Sequence, residues 1–121
     1  MINNRHAKIE QHFRNLSPSE IALCSIVKAG LLFGARHSHR VEANLQLLQH
    51  FFTPLNSLPF DNRCAEEYGL IRAYLSSQGK IIGPNDFLIA TIARAYDAIL
   101  VTHNTKEFSR IIGLRLEDWQ S

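Results

Sequence analysis

The chain has 121 residues, 45 % of them hydrophobic, and its 13 basic and 11 acidic side chains leave a formal charge of +2. That length holds one domain with a single core and little to spare. No apolar run approaches the ~18 residues of a membrane-spanning helix, and Met1-Ile2-Asn3-Asn4-Arg5-His6 lacks the apolar stretch of a secretory signal, so a cytoplasmic protein without membrane contact is expected.

The first expected element is a short amphipathic helix over residues 5–14, with Ile9 and Phe13 at helical spacing among charged positions. Leu16-Ser17-Pro18-Ser19 breaks it, and residues 20–23 read as a short strand. Ser25 then stands as the cap of a helix running to about Gly34. A second helix over 39–53 places Val41, Leu45, Leu48 and Phe52 on one stripe and stops at Pro54. Residues 57–60 suit an edge strand, because Pro59 cannot donate to a central ladder. Asp61 is the expected cap of the next helix, where Cys64, Tyr68, Ile71 and Leu75 recur at helical spacing and Gly79 ends the run. Gly83 and Pro84 mark a loop before an apolar helix over 86–96. Residues 98–102 form a continuous apolar run, of the kind buried on both faces of a parallel sheet. A helical turn over 105–110 and a last strand over 114–116 complete the series.

Strands alternating with helices imply an α/β fold with right-handed crossovers and helices on both sides of a parallel sheet. Ligands in such folds sit outside the carboxyl ends of the strands. Cys24 and Cys64 fall inside apolar patterns and read as buried, reduced thiols, and no paired Cys or His spacing suggests zinc. His37 and His39 belong to a polar loop. The small net charge decides nothing about nucleic acid by itself. Arg36, Arg40, Arg72 and Arg94 are candidates for a local basic patch, or are simply solvated.

Asp86, Asn104 and Glu107 are the residues that strand ends would bring together. Convergent oxygen ligands of this kind suit Mg²⁺, which keeps several waters and needs few carboxylates. Clustered carboxylates without a cation repel one another. Each residue also has a plainer role: Asp86 favours a helix dipole, Glu107 suits a solvated turn, Asn104 suits a turn hydrogen bond, and Thr102 is a common strand residue. Spacing leaves both readings open.

The sequence resembles the PIN-domain ribonucleases of the VapC toxin type from about Asn4 to Trp119. The resemblance is carried by Gly-Pro-Asn-Asp (83–86), Leu-Val-Thr-His-Asn-Thr-Lys-Glu-Phe (100–108) and Gly-Leu-Arg-Leu-Glu-Asp-Trp (113–119), with Ser25-Ile26-Val27-Lys28-Ala29 and Leu-Leu-Phe-Gly-Ala (31–35). It implies a three-layer α/β/α domain over residues 1–121 around a short parallel sheet. It also implies Mg²⁺- or Mn²⁺-dependent endoribonuclease activity on tRNA or other structured RNA, homodimerisation, and inhibition by a VapB-type antitoxin. By the same resemblance Asp86, Asn104 and Glu107 are the metal-holding residues, with Thr102 as the active-site threonine before them.

Two departures accompany it. Relatives begin with a central strand ending in Asp-Thr-Asn, and this chain starts after that point. The acid of the helix following the second strand aligns with Gly30. The expectation is therefore an N-terminally truncated domain lacking the family's first strand, with a degenerate site and low stability as a monomer. An upstream start codon, with Met1 internal, is the alternative origin. The functional alternative is a catalytically inactive remnant that binds an antitoxin or dimerises.

Overall fold

The computed structural model describes Gln11 and residues 22–102 and 104–118. The expected helix over 5–14 lies outside the described residues except for Gln11, which is helical, as do positions 20 and 21 of the expected strand. The first described strand, β1, is Ala22–Cys24, and it runs directly into α1, Ser25–Arg36. Ser25 is consequently not the cap. Cys24 keeps the extended backbone of the strand and occupies the cap position, so Ser25 is already helical. The helix also continues past Gly34, because nothing there stops it before the turn at His37.

Helix α2, Val41–Phe52, folds back on α1. Its predicted stripe of Val41, Leu45, Leu48 and Phe52 is half-buried, whereas Leu47 and Phe51 face outward. Lys28 fastens the base of this hairpin, with its ammonium over the Phe52 ring and donating to Ser57 Oγ at 3.1 Å. The strand β2, Asn56–Leu58, stops before Pro59 and pairs parallel to β1, with Ala22 opposite Asn56 and Cys24 opposite Leu58.

Asp61 caps α3, Asn62–Ser77, by accepting from the Cys64 N–H at 3.1 Å. Its other carboxylate oxygen accepts from the Tyr96 hydroxyl, and the Arg63 guanidinium lies over the Tyr96 ring. At the far end Gly79 adopts φ +66°, the left-handed conformation that ends helices, and the Lys80 N–H returns to the Leu75 carbonyl.

Helix α4, Pro84–Ala95, begins with proline in its first turn, where a missing N–H costs nothing. It is the spine of the fold. Phe87 and Ala90 enter one apolar cluster with Ile71, Leu75, Ile82, Phe108 and Ile111. Ile92 enters a second with Cys24 and Cys64, which are both free thiols and buried. Thr91 is fully buried and satisfies its hydroxyl on the Phe87 carbonyl at 2.7 Å.

A tight turn through Asp97 (φ 52°) leads to β3, Ile99–Val101, and then to the four-residue helix α5, Thr105–Phe108. The last strand, β4, Arg115–Glu117, pairs parallel to β3 in the register Ile99 opposite Arg115. The expectation that residues 98–102 are buried on both faces fails. Ile99 is 44 % and Val101 41 % exposed, and β3 pairs on one side only among the described residues. The result is an α/β fold with short parallel strands, present among the described residues as two separate two-stranded ladders.

Candidate active site

The site forms where β3 ends and α4 begins. Asp86 sits in the first turn of α4, beside a shallow cleft lined by Gly83, Pro84, Asn85 and Asp86. Thr102 follows β3, and its hydroxyl accepts the Asn104 N–H at 3.0 Å, shaping the turn into α5. Asn104 then occupies the cap position of α5 and donates its side-chain amide to Glu107 at 2.8 Å. The second Glu107 oxygen accepts the Gly83 N–H at 2.9 Å. The four predicted residues are thus drawn into one neighbourhood, with Glu107 as its hub.

Electrostatics separate the two acids. Glu107 is held below the usual glutamate range, first by the Gly83 N–H and then by the Asn104 amide, with Arg110 adding its charge. Asp86 is pushed up, first by burial and then by repulsion from Glu107. It is half-buried, with no hydrogen-bond donor among the described residues. A carboxyl so placed favours a cation or a proton.

Among the described residues no group of three His, Cys, Asp or Glu side chains gathers in a ligand cluster. Two carboxylates and an amide oxygen nevertheless suit a hard divalent ion, which takes one or two carboxylates and fills its shell with water or phosphate oxygen. Gly30 lies exposed in α1.

Two contributors escaped the sequence reading. Arg110 had a signal, its i+3 spacing from Glu107. The Gly83 N–H had none, since a backbone donor carries no residue type. Two of the four candidate arginines are engaged within the fold. Arg94 pairs with Glu67 at 3.1 Å and Arg72 donates to Tyr68, which leaves Arg36 and Arg40 at the α1–α2 turn. His103 and Trp119, both within the quoted motifs, lie outside the described residues.

The PIN domain matches residues 3–114. The chain belongs to the PIN-domain family. It is 39 % identical over 118 residues to the tRNA(fMet)-specific endonuclease VapC of Shigella flexneri, covering 98 % of this chain and 89 % of that protein. Against Ribonuclease VapC2 of Rickettsia felis it is 41 % identical over 120 residues, covering 96 % and 88 %. Among solved structures, this PIN domain is similar to VapBC-1 from nontypeable Haemophilus influenzae, with a TM-score of 0.88, 33 % identity and coverage of 98 % and 89 %. A DNA-bound VapBC from Salmonella typhimurium gives a TM-score of 0.85 at 34 % identity, covering 97 % and 95 %.

Proposed function

We propose that this chain is the ribonuclease toxin of a VapC-type toxin–antitoxin module, a single PIN-like domain over 1–121 acting in the cytoplasm on RNA such as tRNA. The observation that carries the reading is the half-buried Asp86 carboxyl, raised first by burial and then by its Glu107 neighbour, and left without a donor among the described residues in an open cleft.

Asp86, Glu107 and the Asn104 side-chain oxygen would hold Mg²⁺ or Mn²⁺. Such an ion supplies a nucleophilic water at neutral pH and charge stabilisation at a scissile phosphate. The chain's own residues do the positioning. Thr102 fixes the Asn104 backbone, Asn104 and Gly83 fix Glu107, and Glu107 in turn anchors the first turn of α4 that carries Asp86. A homodimer and a VapB-type antitoxin are the proposed partners, in keeping with the VapBC composition of the solved relatives.

A second reading rests on Gly30. If that position represents a lost acid, the chain is a non-catalytic relative that retains partner binding through exposed apolar residues such as Leu31, Leu32, Leu47 and Phe51. Labelled tRNA incubated with the protein and Mg²⁺ or Mn²⁺ separates the two. The enzyme reading expects cleavage that chelation stops and that Asp86→Ala reduces at least 100-fold. Cleavage indifferent to Asp86→Ala would refute the site, and no cleavage with either ion would leave the binding reading.

A further inference from the structure

We propose that the tip of the α1–α2 hairpin is an RNA-holding surface, in which Phe33 and His37 stack on an unpaired base while Arg36 and Arg40 take flanking phosphates. The inference rests on the ribonuclease reading for the kind of ligand and adds to it a second contact surface built from residues other than the acids.

Four residues, 37–40, join α1 to α2, and the turn is fastened from within. The Ser38 hydroxyl donates to the Ala35 carbonyl at 2.6 Å and accepts the Asn44 amide at 2.8 Å, while the His37 N–H returns to Phe33 O at 3.0 Å. Ser38 is half-buried, and Arg36, His37, His39 and Arg40 are all exposed. The closed turn, with Arg36 at the end of α1 just before it, presents His37, His39 and Arg40 outward from a fixed backbone. Little ordering then remains to be done on binding.

The aromatic component is equally specific. Phe33 is 70 % exposed, so it adds almost nothing to the core. Its ring is stacked on His37, with centroids 5.6 Å apart and planes 18° from parallel. Flat, sequence-tolerant stacking surfaces flanked by arginine are how single-stranded nucleic acid is held.

Charge points the same way. Every other arginine among the described residues is engaged: Arg63 over Tyr96, Arg72 on Tyr68, Arg94 with Glu67, Arg110 on the Ile81 carbonyl and Arg115 with Asp97. Arg36 and Arg40 pair with no carboxylate among those residues. An acidic peptide would satisfy two arginines but would leave the planar stack unused, and a duplex hides its base faces. The chemistry therefore selects a looped or unpaired strand. With 12 residues in α1, the tip stands roughly 18 Å from the end of β1.

Fluorescence anisotropy on the full chain carrying Asp86→Asn, which leaves the RNA intact, tests this with an unstructured oligoribonucleotide and a duplex of equal length. Phe33→Ala should weaken binding to the single strand roughly 5- to 150-fold and leave the duplex unchanged, and Phe33→Trp should preserve it. Arg36→Gln with Arg40→Gln should lower the slope of log affinity against log salt by about 1.4. Circular dichroism and melting curves should be unchanged, because these side chains are exposed. The inference is overturned if the parent binds no single strand, if the variants bind like the parent, or if they lose only association with an antitoxin protein. Tip-dependent binding without cleavage by the wild-type chain would sink the nuclease reading alone. Cleavage with an unchanged KM in the tip variants would sink the tip alone.

Discussion

A Cβ on Gly30 meets no heavy atom of the described residues within 4 Å, so an alanine there carries no steric cost from them. Glycine in a helix interior lies about 0.8–1.0 kcal/mol above alanine. Gly30→Ala should therefore stabilise the fold by about that amount and raise Tm by ~3–6 °C for a chain of this size. Gly30→Glu should gain slightly less if its carboxylate stands free. If position 30 instead faces Asp86 and Glu107, as the resemblance implies, a carboxylate ~6 Å from either costs about 0.7 kcal/mol in water and about 2.8 kcal/mol at an effective dielectric of 20. The gain becomes a loss. Mg²⁺ at about 100 times its Kd would return about 2.7 kcal/mol. Thermal melts of the three proteins with and without Mg²⁺ decide it. We expect the alanine variant to lie above wild type in both conditions. The glutamate variant should lie below alanine without the ion and climb towards it with the ion. A glutamate variant that tracks alanine throughout would place position 30 away from the acids and refute the reasoning.

Two further predictions concern stability. The Tyr96 hydroxyl, and then the Cys64 N–H, hold Asp61 at about 2, below its ordinary 3.8. Its contribution is therefore full above about pH 4 and is lost as pH falls towards 2. Asp61→Asn keeps a capping oxygen but removes the charge, so denaturant midpoints measured from pH 5 to 2 should fall less steeply in the variant. An equal fall would show that the depressed carboxyl does not govern acid stability. Ile92→Ala empties a fully buried position beside Cys24 and Cys64. It should cost about 2–5 kcal/mol, a large share of the ~5–15 kcal/mol typical of a domain, and a loss under ~1 kcal/mol by urea unfolding would contradict that packing.

What the sequence made legible was local chemistry. The Asp61 cap, the buried repeat of Cys64, Ile71 and Leu75, the left-handed Gly79 and the half-buried stripe of α2 all follow from spacing and backbone preference. The failures were tertiary. Ser25 has a good capping side chain, but the strand before it runs straight into the helix and moves the cap to Cys24. The apolar run at 98–102 promised burial on both faces, yet Ile99 and Val101 are exposed because exposure depends on what lies beside a strand, not on its own residues. At the site, the approach of Asp86 to Glu107 was foreseeable from strand-end topology. The bond that secures it spans 24 positions between a glycine backbone and a side chain, and no residue pattern announces that.

That bond has a bearing on genetics. Because Glu107 clasps the Gly83 amide as well as bearing a negative charge, an alanine at 107 would untie the entry to α4 and discharge the cleft in one stroke. Glutamine, which can still accept from Gly83, is the substitution that disentangles the two.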